Sequence, residues 1–121
     1  MILAISPEQF QPHYLFFSEP TKNNIIYNSL FIRISYSPSN IQFIGLYIYI
    51  DTPSDLLKLY EIEEQILNLY NIHNKELRYN IYSNLKYKQN NLKGYIKISG
   101  LSENKTFISI VYKFMDQPLV L

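Results

Sequence analysis

The side chains that could do chemistry in this chain are few, and most lack the neighbours that chemistry needs. The two histidines, His13 and His73, fall in different elements, without HxxxH or HExxH spacing. A histidine-based metal centre therefore has little support, and both read as surface or loop residues. There is no cysteine, which excludes a disulfide framework, thiol catalysis and a Cys-ligated zinc. Glu61, Glu63 and Glu64 sit together, but they read as the solvated side of a helix. An acid–base pair would need burial or a partner to drive its pKa values apart. Gly45, Gly94 and Gly100 are too scattered to cradle a phosphate, and no GxSxG or Ser/His/Asp set is present. The reading is a protein that is not an enzyme, with no metal and no cofactor.

What remains is a pattern of rings and cations. Phe31, Arg33, Tyr47, Tyr49, Tyr95, Lys97 and Lys113 all alternate with aliphatic residues, so each belongs to the same side of its strand as its fellows. Lys22 and Lys93 could stand at the rim. Rings interleaved with basic groups on an open sheet suit single-stranded nucleic acid. Bases stack on the rings for about 1–3 kcal/mol each, and Lys or Arg follows the phosphates. The same residues also fit a blander role, because cross-strand tyrosine pairs stabilise sheets in their own right. Such a face could serve a structural or protein-interaction module, including a homo-oligomer that pairs through it.

The elements that would position these residues follow from periodicity. Residues 30–37 alternate, with Leu30, Ile32, Ile34 and Tyr36 on one face. Residues 41–51 alternate likewise, with Ile44, Leu46, Ile48 and Ile50 together, and turn residues 37–40 join the two as an antiparallel hairpin. Gly45 inside the second strand signals a bulge or the close approach of another backbone. Thr52, Pro53 and Asp55 mark a helix start, with cap, first-turn proline and acidic residue in order. Leu59, Ile62, Ile66 and Leu69 then recur at helical spacing over about 53–71, a face that would cover the sheet. Residues 74–91 read as a short helix or turn, on Leu77, Ile81 and Leu85, with a short strand as the alternative. Residues 94–99 and 106–114 read as strands joined by a polar loop at 101–105, a second hairpin. Before these, Pro7, Pro12 and Pro20 rule out a long regular element, residues 14–17 could form an edge strand, and 18–23 read as a turn in which the Asn23–Asn24 pair tolerates positive φ.

The fold class is thus α+β: a small antiparallel sheet of two hairpins with one amphipathic helix packed on it, in a single domain over residues 1–121. A chain of 121 residues, 47% hydrophobic and 17% charged, can bury a real core without staples. Its wealth of Ile, Asn, Tyr and Lys matches an AT-rich genome, which discounts some of the tyrosines. No window reaches the roughly 18 apolar residues of a membrane span, and residues 1–5 make a poor secretory signal. An intracellular protein, not secreted and without a membrane partner, is expected, and the acceptor triplet at Asn104 reads as chance. The net charge of +1 is unevenly spread. Residues 1–74 hold three basic and seven acidic side chains (−4), and residues 75–121 hold eight and three (+5). A split of this kind can mark a side that faces a polyanion.

Two segments carry a family resemblance. SPEQFQPHYLFFSEPTKN precedes the first alternating strand, and IKISGLSENKTFISIVYKFM lies near the C-terminus. Together they resemble proteins of nucleocytoplasmic large DNA viruses related to the viral single-stranded DNA-binding protein. The matching positions are Phe17, Ser18, Glu19, Pro20, Lys22 and Asn23, then Lys97, Ile98, Ser99, Gly100 and Glu103, then Tyr112, Lys113 and Phe114. The resemblance implies an OB-like or related β-rich fold and DNA binding, in the cytoplasm or nucleus of a host. On it and on the ring-and-cation pattern together, Phe31, Tyr47, Tyr49 and Tyr95 would be stacking platforms. Lys22, Arg33, Lys97 and Lys113 would be phosphate partners.

Overall fold

The computed structural model describes residues 3–22, 28–71, 74–87 and 93–115. Among these the chain forms a mixed α/β fold, with nine strands in one sheet, one long helix and one short one. In order they are β1 (Ala4–Ile5), two 3₁₀ turns (Pro7–Gln9 and Pro12–Tyr14), β2 (Leu15–Phe17), β3 (Thr21–Lys22), β4 (Leu30–Tyr36), β5 (Phe43–Ile44), β6 (Leu46–Ile50), α1 (Pro53–Tyr70), β7 (Glu76–Arg78), α2 (Asn80–Leu85), β8 (Gly94–Glu103) and β9 (Phe107–Met115). The sheet is larger than the two hairpins expected. It is also not wholly antiparallel, since β1 pairs with β6 and β7 with β9 in parallel.

The longest strand, β8, organises the sheet. β9 runs antiparallel along one of its edges. The other edge holds two strands in line: β4, from Leu30↔Glu103 to Arg33↔Gly100, and then β6, from Leu46↔Ile98 to Ile50↔Gly94. Beyond Arg33, β4 leaves β8 and pairs with β2 on one side and with β5 on the other. The chain returns to β8 at Gly45, whose N–H donates to the Ile34 carbonyl at 3.0 Å and whose φ is 79°. A Cβ there would stand 3.1 Å from the Ile98 carbonyl oxygen, so the close backbone approach expected at this glycine is present. The expected hairpin is real only at its tip, Ser35↔Ile44 and Tyr36↔Phe43. The rest of both strands lies against β8.

β8 carries its own irregularity. Its register on β9 shifts between Ile98 and Gly100, a bulge at Ser99 that reverses the alternation. Ile96 and Ile98 face the helices before it, and Leu101 and Glu103 after it. The polar loop expected at 101–105 is therefore strand as far as Glu103. Only residues 104–106 turn, and there Asn104 Oδ1 accepts the N–H groups of Thr106 and Phe107 at 2.8 and 2.9 Å. The acceptor triplet thus has a local structural job.

α1 starts where its cap residues say it should, with Asp55 Oδ2 accepting the Thr52 N–H at 3.1 Å. It lays Leu56, Leu59, Ile62, Ile66 and Leu67 against Ile32, Ile34, Ile48, Ile50, Ile96 and Ile98 of the sheet. Leu69, expected in that stripe, is exposed, and Leu67 takes its place. The ambiguous residues 74–91 resolve into both alternatives. Leu77 sits on a strand, β7, and Ile81 and Leu85 are buried on a helix, α2. The Asn23–Asn24 pair, His73 and positions 88–91 lie outside the described residues.

Glu63, expected in solvent with Glu61 and Glu64, is buried instead, at 0% exposed. Its carboxylate accepts the Ile81 N–H at 3.0 Å and the Tyr82 N–H at 3.3 Å, so it caps α2 across the helix–helix contact. Burial raises its pKa, and the amides at the start of α2 oppose that rise. A second buried carboxylate, Glu103 at 4% exposed, pairs with Lys75 Nζ at 2.9 Å and accepts the Tyr70 hydroxyl at 3.0 Å. Burial first, and that carboxylate second, push the Tyr70 hydroxyl up to about 12.

Glu63→Ala should cost about 2–6 kcal/mol in urea unfolding, because two amides lose their acceptor at about 1–3 kcal/mol each when buried. Burial makes the folded state hold the Glu63 proton more tightly than the unfolded chain does. Wild-type stability should therefore fall as pH rises from the ordinary 4.5 through the raised value, and Glu63→Gln should flatten that fall. Gly100 offers a separate test. A Cβ there would meet the Ile32 carbonyl oxygen at 2.2 Å and the Phe31 ring at 2.8 Å, so Gly100→Ala should lower stability by about 1–3 kcal/mol.

Candidate nucleic-acid interface

The helices cover one side of the sheet, and the register fixes what the other side presents. Residues directly opposite one another on paired strands share a face. Across β6, β8 and β9 this gives the rows Tyr49–Tyr95–Met115 and Tyr47–Lys97–Lys113. Across β4, β8 and β9 it gives Arg33–Gly100–Val111 and Phe31–Ser102–Ser109. Seven of the eight residues expected at a binding site thus come together on this face. Lys22 does not. Thr21 is opposite Phe31, and Lys22 is opposite Leu30, so the lysine belongs to the helix side at the end of the sheet. Lys93 is exposed immediately before β8.

The rings are not equivalent. Tyr49 and Tyr95 are half-buried and touch, with centroids 5.1 Å apart. Phe31 is half-buried over Gly100, whose missing side chain makes room for it. Tyr47 is only 6% exposed. Strand β1 flanks it, with the Tyr47 N–H donating to the Leu3 carbonyl at 3.2 Å, and Lys97 Nζ lies 5.8 Å from its ring centroid. It supports Lys97 by a cation–π contact and has no free ring for a base. The expectation of four stacking platforms reduces to three, because the fourth ring is buried.

The cations are closely placed and, among the described residues, have no acidic partner. Lys97 and Lys113 are directly opposite, an arrangement in which like charges repel. Arg33 and Lys97 line one depression of about 290 Å³ together with Phe31, Ile44, Gly45 and Ser99. Among the described residues, none of the ion pairs involves Arg33, Lys97 or Lys113. Glu63 and Glu103 lie on the helix side, and Glu76 is held by Arg78 at 3.3 Å. Arg33 is fixed from behind: the Ser18 N–H donates to its carbonyl at 2.9 Å, and its own N–H donates to Ser18 Oγ at 2.9 Å. The two sequence segments that carry the family resemblance therefore converge, one on the backbone of Arg33, the other on Lys97 and Lys113.

This face also holds residues that the sequence did not single out, among them Arg78 and Phe107, opposite Ser109 and Glu76, and the more exposed pair Phe16 and Ile44. Phe16 and Ile44 are 54% and 68% exposed, and both lie opposite Ser35, from β2 and β5. The signal was present for Phe16, since an edge strand with Leu15 and Phe17 inward must turn Phe16 outward. For Ile44 the signal was Gly45 itself, since an interruption there reverses the alternation that Ile44 otherwise shares with Leu46, Ile48 and Ile50. The resulting surface is suited to binding a flexible anion with flat apolar groups.

No helix among the described residues is long and apolar enough to cross a membrane. In comparisons with known proteins, the chain matches no family model, no curated protein and no solved structure.

Proposed function

We propose that this chain is a non-catalytic domain that binds single-stranded DNA on the face opposite its helices. The observation that carries the reading is the set Arg33, Lys97 and Lys113, adjacent on that face, with Lys97 and Lys113 in direct cross-strand register. A polyanion laid across them relieves a repulsion that no ion pair among the described residues offsets. Phe31, Tyr49 and Tyr95 supply the half-open rings that sequence-tolerant base stacking uses. The viral setting, an intracellular place in a host and an OB-like fold are supported by the motif resemblance alone. A second reading, a structural or protein-interaction module that forms a homo-oligomer through the same face, draws support from the exposed Phe16 and Ile44.

Fluorescence anisotropy with labelled oligo-dT at two salt concentrations tests the first reading, which expects micromolar or tighter binding that weakens steeply with salt. Lys97→Ala should reduce the slope of log affinity against log salt by roughly 0.7 if one phosphate contact is lost. Absence of binding at low salt removes the reading. A stable dimer by light scattering, indifferent to Arg33→Ala and Lys97→Ala, would establish the second in its place. Lys113→Gln should weaken DNA binding while raising folding stability by about 0.2–1 kcal/mol, most at low salt. A loss of stability in that variant would count against the repulsion argument.

A further inference from the structure

Beside Arg33, away from the lysine pair, lies a second depression of about 220 Å³ whose lining includes Phe16, Ile44, Ser35, Gln42 and Arg33. Its shape follows from the register. Ser35 sits between Phe16 and Ile44 in one cross-strand row, so a small residue forms the floor and two large exposed apolar ones form the walls. The walls stand two strand spacings apart, on the order of 10 Å between backbones. A flat ring sandwiched between two side chains needs about 7–8 Å, twice the usual contact distance between carbon atoms. The floor is polar and held in place, because Gln42 Nε2 donates to Ser35 Oγ at 2.8 Å. That bond holds the Gln42 amide beside the floor, where a base edge would need a hydrogen-bonding group.

We propose that this slot takes one unstacked nucleobase of the bound strand, held between Phe16 and Ile44, with the phosphate of the same nucleotide on Arg33. The inference rests on the DNA-binding reading and adds a residue-level binding site to it. Arg33 is the link, since it lines both depressions. Arg33 and Ser35 are successive outward residues of β4, about 7 Å apart along the strand, within the reach of a base from its own phosphate. Arg33, in no ion pair among the described residues, and the apolar slot thus match the two halves of one nucleotide. A purely electrostatic site would have no use for two exposed apolar walls here, and a purely apolar docking patch would have none for Arg33 at its edge.

The test compares oligo-dT with an abasic deoxyribose-phosphate strand of equal length, by anisotropy at low salt, on wild type, Phe16→Ala and Phe16→Tyr. Phe16 is more than half exposed, so neither change should disturb folding, which thermal melting checks. Wild type should prefer oligo-dT over the abasic strand. Phe16→Ala should lose about 5- to 150-fold of the oligo-dT affinity, the range of one stacked base, and leave abasic binding unchanged. Phe16→Tyr, which keeps the ring, should restore the preference. If wild type binds both strands and Phe16→Ala changes neither, the slot is refuted while the DNA-binding reading stands. If wild type binds neither strand, both fall. A dimer that dissociates in Phe16→Ala would show that a second copy of the chain fills the slot and would overturn the proposal.

Discussion

Everything on the candidate face depends on one constraint, the sharing of a single edge of β8 by two strands. β4 and β6 lie in line along that edge, and the chain between Ile34 and Gly45 has to leave it and return. Backbone pairing there is continuous only if the return is made without a side chain in the way, which Gly45 does at positive φ. Opposite the junction, β8 inserts Ser99 as a bulge so that its inward residues stay inward past the gap. The depression shared by Arg33 and Lys97 is this junction seen from outside, since Gly45 and Ser99 form part of its lining. The excursion itself, β5 against the end of β4, raises Ile44 beside Ser35 and makes the neighbouring slot. Both concavities follow from the same interruption of a strand edge.

The buried carboxylates and the three cations Arg33, Lys97 and Lys113 sort by layer rather than by the two halves of the sequence, while Glu76 shares the cations' face and is paired there with Arg78. Each buried carboxylate has defined partners: Glu63 the amides that start α2, and Glu103 the Lys75 ammonium and the Tyr70 hydroxyl. Both tie helical segments to their neighbours, and an unsatisfied carboxylate at either place would be costly. On the opposite side Arg33, from the acidic half of the chain, joins Lys97 and Lys113 from the basic half. The uneven split along the sequence is a weaker guide to a binding side than strand parity, because parity decides which layer a charge joins.

Strand parity is also what was legible in the sequence. Alternation over 30–37 and 106–114 named inward and outward residues correctly, apart from exposed Leu30, and so did the cap residues of α1 and the glycine at 45. What was not legible shares a cause: it depended on a partner distant in the chain. Leu101, Ser102 and Glu103 look like loop until β4 is there to pair with them. Glu63 looks like solvent-facing helix until α2 offers its amides. Tyr47 looks like an open ring until the folded sheet buries it, and Lys22 looks like a rim residue until the pairing of Thr21 with Phe31 assigns it the other face. Local chemistry marks FSEPTKN as a turn, yet its serine secures the backbone of Arg33 through two hydrogen bonds.

A lysine pair in direct register is tolerable because the core does not depend on it. The side chains that bury apolar area, Ile96 and Ile98 on β8 and Ile110 and Tyr112 on β9, alternate with the lysines and point the other way. Burial of each such aliphatic residue is worth about 1.5–3 kcal/mol, while a like-charged cross-strand pair costs roughly 0.2–1 kcal/mol. The inward set can therefore hold the sheet together whatever the outward set contains. Stability alone would favour an opposite charge at one of the two positions, and a carboxylate at 113 would supply it within the same pleat. That both positions carry lysine, with Arg33 in the next row, is what a face shaped by an external anion would look like.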